Sequence, residues 1–222
     1  MKSGRFFTDE YKTIERKIKT FLNEQKEFLS GRTVKSTRAV GDAIEDILSE
    51  NFQAIVGDKH CVNYSSDFPR RAMADFAFDD RDSRHYRVDV KTHRVSTKFN
   101  MPNLTSVRSL SKFYEDDKNY FVVLSVAYDT EGLRVVVSEV KFVPIEFLEW
   151  NCLTIGALGW GQIQIANANR IAIKRNQSRK AWMLQLCDHL SEFYPREMKK
   201  IGQRTEYFAK VRRRWEAKGG PS

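Results

Sequence analysis

Between Thr8 and about Leu29, apolar residues recur every three or four positions: Tyr11, Ile14, Ile18, Phe21, Leu22, Phe28 and Leu29. That spacing predicts a helix with one apolar stripe and a charged opposite face, stopped near Gly31. A second stripe, Val40, Ala43, Ile44, Ile47 and Leu48, predicts a helix from Ser36 or Thr37, either a good N-cap, to Glu50. The pattern then changes. FQAIV (52–56), RAMADFAF (71–78) and HYRVDVKT (85–92) read as strands, and the polar turn between the last two predicts an antiparallel hairpin. A linker rich in Ser, Thr and Asn spans 95–105, followed by a short helix at 106–115. NYFVVLSVAYD (119–129) is almost continuously apolar, as a strand buried on both faces would be, and Gly132 separates it from LRVVVSEVKFV (133–143). Residues 144–160 read as irregular, and GQIQI (161–165) alternates like a half-exposed strand. Two amphipathic helices, 178–193 and 196–215, close the chain on either side of Pro195. These elements predict an α/β fold: a central mixed β-sheet flanked by helices, with a helical C-terminal extension.

Composition agrees with a globular chain. Of the 222 residues, 41% are hydrophobic and 12% aromatic, enough for one domain with a sizeable core. No apolar run approaches the roughly 20 residues of a membrane span, and the first residues lack the apolar stretch of a signal peptide, so a cytoplasmic location is expected. Cys61, Cys152 and Cys187 are far apart and show no metal-ligand spacing, which predicts reduced thiols. No Gly-rich phosphate loop followed by Lys-Ser/Thr is present, so nothing points to nucleotide hydrolysis. The net charge of +9 is unevenly distributed: fourteen Lys/Arg face five Asp/Glu from Arg170 onward, while the preceding residues balance at 24 against 24. A basic excess confined to one region is the electrostatic footprint of a polyanion partner, against the plainer alternative of a solvated basic surface.

Within the strand 86–92, Tyr86, Val88, Val90 and Thr92 face one way, while Arg87, Asp89 and Lys91 face the other. The apolar set packs on a helix; the polar set cannot be buried without partners. In the preceding strand Asp75 is a lone carboxylate between Ala74 and Phe76. Hairpin pairing lets Asp75 and Asp89 converge, and two converging carboxylates repel unless a cation lies between them. A hard, oxygen-preferring ion such as Mg²⁺ suits them; it would acidify a bound water and neutralise charge developing on a phosphate. Lys91 beside it is suited to positioning or deprotonating an attacking water and stabilising a pentacovalent phosphorus. The plainer reading is a surface hairpin with one salt bridge, from Asp89 to Lys91 or Arg87.

Asp75 followed fourteen residues later by Asp89-Val90-Lys91, with a helix RAVGDAIEDILSENF (38–52) before them, resembles the PD-(D/E)XK nuclease superfamily. The resemblance implies a restriction-endonuclease-like core, with Asp75, Asp89 and Lys91 catalytic on adjacent antiparallel strands. It further implies metal held at Asp75, Asp89, Val90 and Glu45, the helical glutamate at the family's matching position. Helix geometry alone does not choose between Glu45 and Glu50, which both flank the apolar stripe. The family's first Asp commonly follows a proline, but Ala74 precedes Asp75 here. Pro69 lies nearer Asp67, which makes Asp67 the alternative first acid.

More narrowly, the chain is similar in outline to EcoRV-like, blunt-cutting type II restriction endonucleases. That implies a Mg²⁺-dependent homodimer (Mn²⁺ able to substitute) that cuts palindromic double-stranded DNA, with a cognate DNA methyltransferase in the same system. The expected layout is a single nuclease domain over 1–222: an N-terminal helix (1–35), a catalytic core (36–145), a recognition segment (146–180) and basic C-terminal helices (181–222). Two polar segments suit recognition. The first offers Arg94, Lys98, Asn100, Asn103, Arg108 and Lys112; the second offers Trp160, Gln162, Gln164, Asn167, Asn169 and Arg170. Paired amides bind adenine bidentately in the major groove, while Arg or Lys suits guanine. Lys174, Arg175, Arg179 and Lys180 suit phosphates. Core packing is expected for the apolar stripes of the N-terminal and C-terminal helices alike. Two further readings stand beside the restriction enzyme: a structure-selective resolvase or repair nuclease of the same superfamily, and a catalytically dead DNA-binding protein.

Overall fold

The computed structural model of the chain describes residues 4–25, 28–67 and 73–220. It divides into two compact units, Met1–Ser178 and Arg179–Ser222, where a single domain was expected. The first unit is α/β. Its main sheet runs in the order β1-β2-β3-β5-β6, with β1 Val62–Ser65, β2 Phe76–Asp79, β3 His85–Arg94, β5 Asn119–Glu131 and β6 Arg134–Pro144. β3 pairs in parallel with β5 and the other neighbours are antiparallel, so the sheet is mixed and β3 is its middle strand.

A helix, α3 (Thr37–Val56), forms where its stripe predicts, and the Ser36 hydroxyl caps it by accepting from Ala39 N at 3.2 Å. It runs past Glu50 through Val56, so FQAIV is helix, not strand. Val40, Ile44, Leu48, Phe52 and Val56 are all buried and spaced by four, which makes the run one continuous helical stripe. Gly57, at φ 89°, ends it. Phe52 then packs on Phe76 and Phe78 of β2, with ring centroids 4.5 and 5.4 Å apart.

A short turn of helix, α1 (Gly4–Phe7), precedes the helix α2 (Glu10–Glu24), which buries Tyr11, Ile14, Ile18 and Leu22 as predicted. It stops before Gly31, because Gln25 turns extended. Its polar side chains close the edge strand β6. Asn23 donates to Val137 O and accepts from Val137 N, at 3.2 and 2.8 Å, and Glu15 accepts from Phe142 N at 2.9 Å. An edge covered in this way cannot pair with another chain.

Between β3 and β5 the chain forms β4 (Asn103–Ser106) and then α4 (Val107–Phe113), capped by the Ser106 hydroxyl. With β7 (Leu153–Gly156) and β8 (Gln162–Ile165), β4 builds a second sheet in the order β4-β8-β7. Neither β4 nor β7 was expected, since four-residue strands carry little periodic signal.

The second unit is one helix, α5 (Arg179–Glu216), where two were expected. Pro195 lies inside it. Proline removes a single backbone donor, and the pairs Arg196–Glu192, Lys200–Glu197 and Arg212–Glu216 favour continued helix. Met198, Ile201, Phe208 and Trp215, the stripe expected to pack, are exposed. Among the described residues no helix is long and apolar enough to cross a membrane. The three cysteines are free: Cys61 and Cys152 are buried and Cys187 is exposed.

Candidate active site

β2 pairs with β3 only as far as Phe76 opposite Val88. Beyond Val88 no strand among the described residues lies beside that edge of β3, and its backbone needs another partner. Asp75 takes the role. It lies just before β2, not in mid-strand, with its N–H donating to Val88 O at 2.9 Å and its Oδ2 accepting from Val90 N at 2.6 Å. The Asp75 carboxylate is thus bound to the peptide between Asp89 and Lys91. Positions 71 and 72 of the expected strand, with Pro69, fall outside the described residues.

Asp89 is buried, and its Oδ1 accepts from Lys91 Nζ at 2.6 Å; the same ammonium donates to Val90 O at 3.1 Å. Glu45 arrives from α3. The helix crosses β3 closely at Gly41, where a Cβ would stand 2.5 Å from Thr92 Oγ1. One turn later Glu45 comes near enough to the Asp75 carboxylate for the two charges to repel. Glu50 and Asp67 are exposed, so of the two helical candidates Glu45 joins the cluster, and of the two first acids Asp75 does.

Charge is crowded here. Burial raises the Glu45 carboxyl to about 7, with the Asp75 charge adding to the rise. Burial also raises Asp89 to about 7, against the pull of Lys91, and Asp75 adds to that rise too. For Lys91, burial alone would lower the amine, but Asp89, Asp75 and Glu45 outweigh it and hold the ammonium above the ordinary lysine range. The Lys91 ammonium lies 2.6 Å from the Asp89 carboxyl and faces it as a donor in this arrangement.

The donors suit a hard cation. Three carboxylates and the Val90 carbonyl offer only oxygen, which fits Mg²⁺ or Mn²⁺ and disfavours thiophilic metals. Among the described residues Asp89 Oδ2 is buried without a hydrogen-bond partner, an arrangement that costs free energy until a donor or cation meets it. Among the described residues no three His, Cys, Asp or Glu side chains are placed to hold an ion as they stand. The Lys91 ammonium, in contact with both Asp89 and Val90 O, supplies the positive charge in this arrangement.

The two segments expected to serve recognition meet in the small sheet, but several of their side chains are already engaged. Arg94 pairs with Asp129 at 3.0 Å and donates to Thr130, tying β3 to β5. Asn169 bonds His93 Nε2 at 2.6 Å and donates to Thr97 O and Lys98 O, while Asn167 accepts from Asn169 N. Asn100 donates to Thr92 O. These asparagines build the loop. Arg175 hydrogen-bonds the Tyr11 hydroxyl and lies over its ring, 4.9 Å from the centroid. Arg179 opens the separate helix α5. Exposed side chains remain at Lys98, Asn103, Arg108, Lys112, Trp160, Arg170 and Lys174, with Gln162 and Gln164 half-exposed. Sequence reasoning passed over Gly41 and over Ser125, a buried hydroxyl residue opposite Lys91 on β5. A glycine interrupting the α3 stripe was the available signal for the first. No family model matches the chain, and no curated protein matches it either.

Proposed function

We propose that the protein is a Mg²⁺-dependent endonuclease that hydrolyses phosphodiester bonds in double-stranded DNA at specific palindromic sequences. In this reading it acts as a homodimer with one site per strand, like type II restriction enzymes. One observation carries the reading: Asp75, Asp89, Glu45 and the Lys91 ammonium lie close enough to feel one another's charge at the end of β3 beyond Val88, and Asp89 Oδ2 is buried without a hydrogen-bond partner among the described residues. Asp75, Asp89, Glu45 and the Val90 carbonyl would hold the ion, which supplies an acidified water and neutralises phosphate charge. Lys91 donates hydrogen bonds toward the scissile phosphate and stabilises its added negative charge. Asp75 orients the peptide of Val90 through the 2.6 Å bond. The localised basic excess, fourteen against five from Arg170 onward, supports a polyanionic substrate.

The test is digestion of plasmid and phage DNA of known sequence with Mg²⁺, followed by mapping of the ends. Discrete fragments are expected, with Asp89→Ala and Lys91→Ala abolishing cleavage while retaining DNA binding. Undiminished cutting by both variants would falsify the site. Preference for branched or mismatched DNA over linear duplex would instead support a structure-selective nuclease. Salt-dependent binding without products in Mg²⁺ or Mn²⁺ would support a dead nuclease fold.

A further inference from the structure

The small sheet has one apolar and one polar face. Ile163, Ile165, Leu104 and Leu153 are buried. On β8 the alternate residues Gln162 and Gln164 lie on the other face, in register with Ser106 and Asn103 of β4 and with Gly156 and Thr154 of β7. Every side chain in those two rows is polar and uncharged. Within this platform one amide is fixed. Gln164 Nε2 donates to Asn103 Oδ1 at 2.6 Å, and the amide lies across the bare backbone of Gly156. A Cβ at Gly156 would stand 2.7 Å from Gln164 Oε1 and 2.9 Å from its Cδ, so any other residue displaces the amide. The clamp leaves Gln164 Oε1, an acceptor, and Asn103 Nδ2, a donor, as the two remaining polar ends of one hydrogen-bonded amide pair, without protein partners among the described residues.

That pair is complementary to the major-groove edge of adenine, which shows an N6 donor beside an N7 acceptor. Guanine shows two acceptors there and asks for a cation, which this face lacks. At its rim the β7–β8 turn carries Leu158 and Trp160, both over 60% exposed, yet the turn is braced. Gly161, at φ 114°, donates to Leu158 O and accepts from Val107 N, and the Arg108 guanidinium lies 4.9 Å from the Trp160 ring centroid. A rigid, uncharged, amide-bearing sheet face with an Arg–Trp rim suits a DNA groove better than it suits bulk water.

We infer that the polar face of β4-β8-β7 is a base-reading surface, that the Asn103–Gln164 pair contacts an adenine of an A·T pair, and that Gly156 is the positioning residue for that contact. The inference takes its occupant, duplex DNA, from the function proposed above.

Selection from a random duplex library in Ca²⁺, followed by sequencing, tests it on the full-length protein. Wild type is expected to enrich a motif containing an A·T pair. In Gly156→Ala the preference at one such position falls about tenfold or more, while binding to random duplex at the same salt is unchanged. Gln164→Glu keeps the side-chain shape but turns the amide into an acceptor only, so the preferred base at that position moves from adenine toward cytosine, a change that a merely structural role would not produce. An unaltered motif in the folded Gln164→Glu variant overturns the inference, as does a wild-type motif without A·T pairs. If wild type cleaves DNA but enriches no motif, the reading face is refuted and the nuclease stands. If it enriches the motif but never cleaves with Mg²⁺, the nuclease is refuted and the reading face stands.

Discussion

Replacing Glu45 by glutamine should make the metal-free protein more stable, and only as the pH rises. The Glu45 carboxyl is raised from 4.5 to about 7 by burial and by its Asp75 neighbour, so folding favours its neutral form. Its contribution to stability is therefore complete below pH 4.5 and lost as the pH passes through 7. A rise of that size corresponds to about 3 kcal/mol at full burial. Glu45 is only about half-buried, and solvent screening reduces this to about 1–2 kcal/mol. Glutamine keeps the shape but never carries the charge. For a chain of this size the variant should melt roughly 3–6 °C higher at pH 8 in EDTA. At pH 4 the two proteins should coincide. Scanning fluorimetry and urea titration across that range give the answer. A variant destabilised at pH 8, or one offset equally at every pH, would show that Glu45 does not belong to a crowded acidic cluster.

Lys91→Met should cost about 1–3 kcal/mol in urea denaturation at pH 8, because without the ammonium the buried Asp89 must take up a proton to stay folded. Adding Asp89→Asn should recover most of that loss, and two additive losses would dissolve the pair. Gly41→Ala should destabilise by about 1–2 kcal/mol through its clash with Thr92. In a Thr92→Ala background the sign should reverse, because alanine is the better helix former by about 1 kcal/mol; the same sign in both backgrounds would move the α3–β3 contact elsewhere. Mn²⁺ binding, followed by calorimetry, should be about tenfold or more weaker at pH 6 than at pH 8, since carboxyls raised to about 7 must release protons to ligate. Affinity independent of pH would remove Glu45 and Asp89 from the ligand set.

The hairpin and the side chains it groups were legible because alternation along 85–94 states both its strand and its faces. Asp89 and Lys91 needed no tertiary information to fall on one side. Asp75 did: its position beyond the end of β2 follows from where pairing with β3 stops, which depends on the whole sheet. FQAIV was misread because five apolar residues carry no period of their own. Joined to Val40, Ile44 and Leu48, Phe52 and Val56 simply continue the helix. Pro195 misled in the opposite direction, as a local breaker overruled by good helix formers on both sides. For the asparagines, composition could not separate side chains that hold a loop from side chains that face outward. Only partners across the chain, such as His93 for Asn169, make that distinction.

The His93–Asn169 bond spans 76 residues of chain and joins the candidate metal site to the segment that leads into the small sheet. His93 lies two residues beyond Lys91 on the same face of β3, and Asn169 holds the carbonyls of Thr97 and Lys98 in the loop leading to the small sheet. If that bond is stronger when one region is occupied, linkage requires that its strengthening favour occupancy of the other by the same factor. In the nuclease proposed above, discrimination against near-cognate DNA would then be a joint property of the two regions, set by the free energy of a single side-chain contact outside both sites.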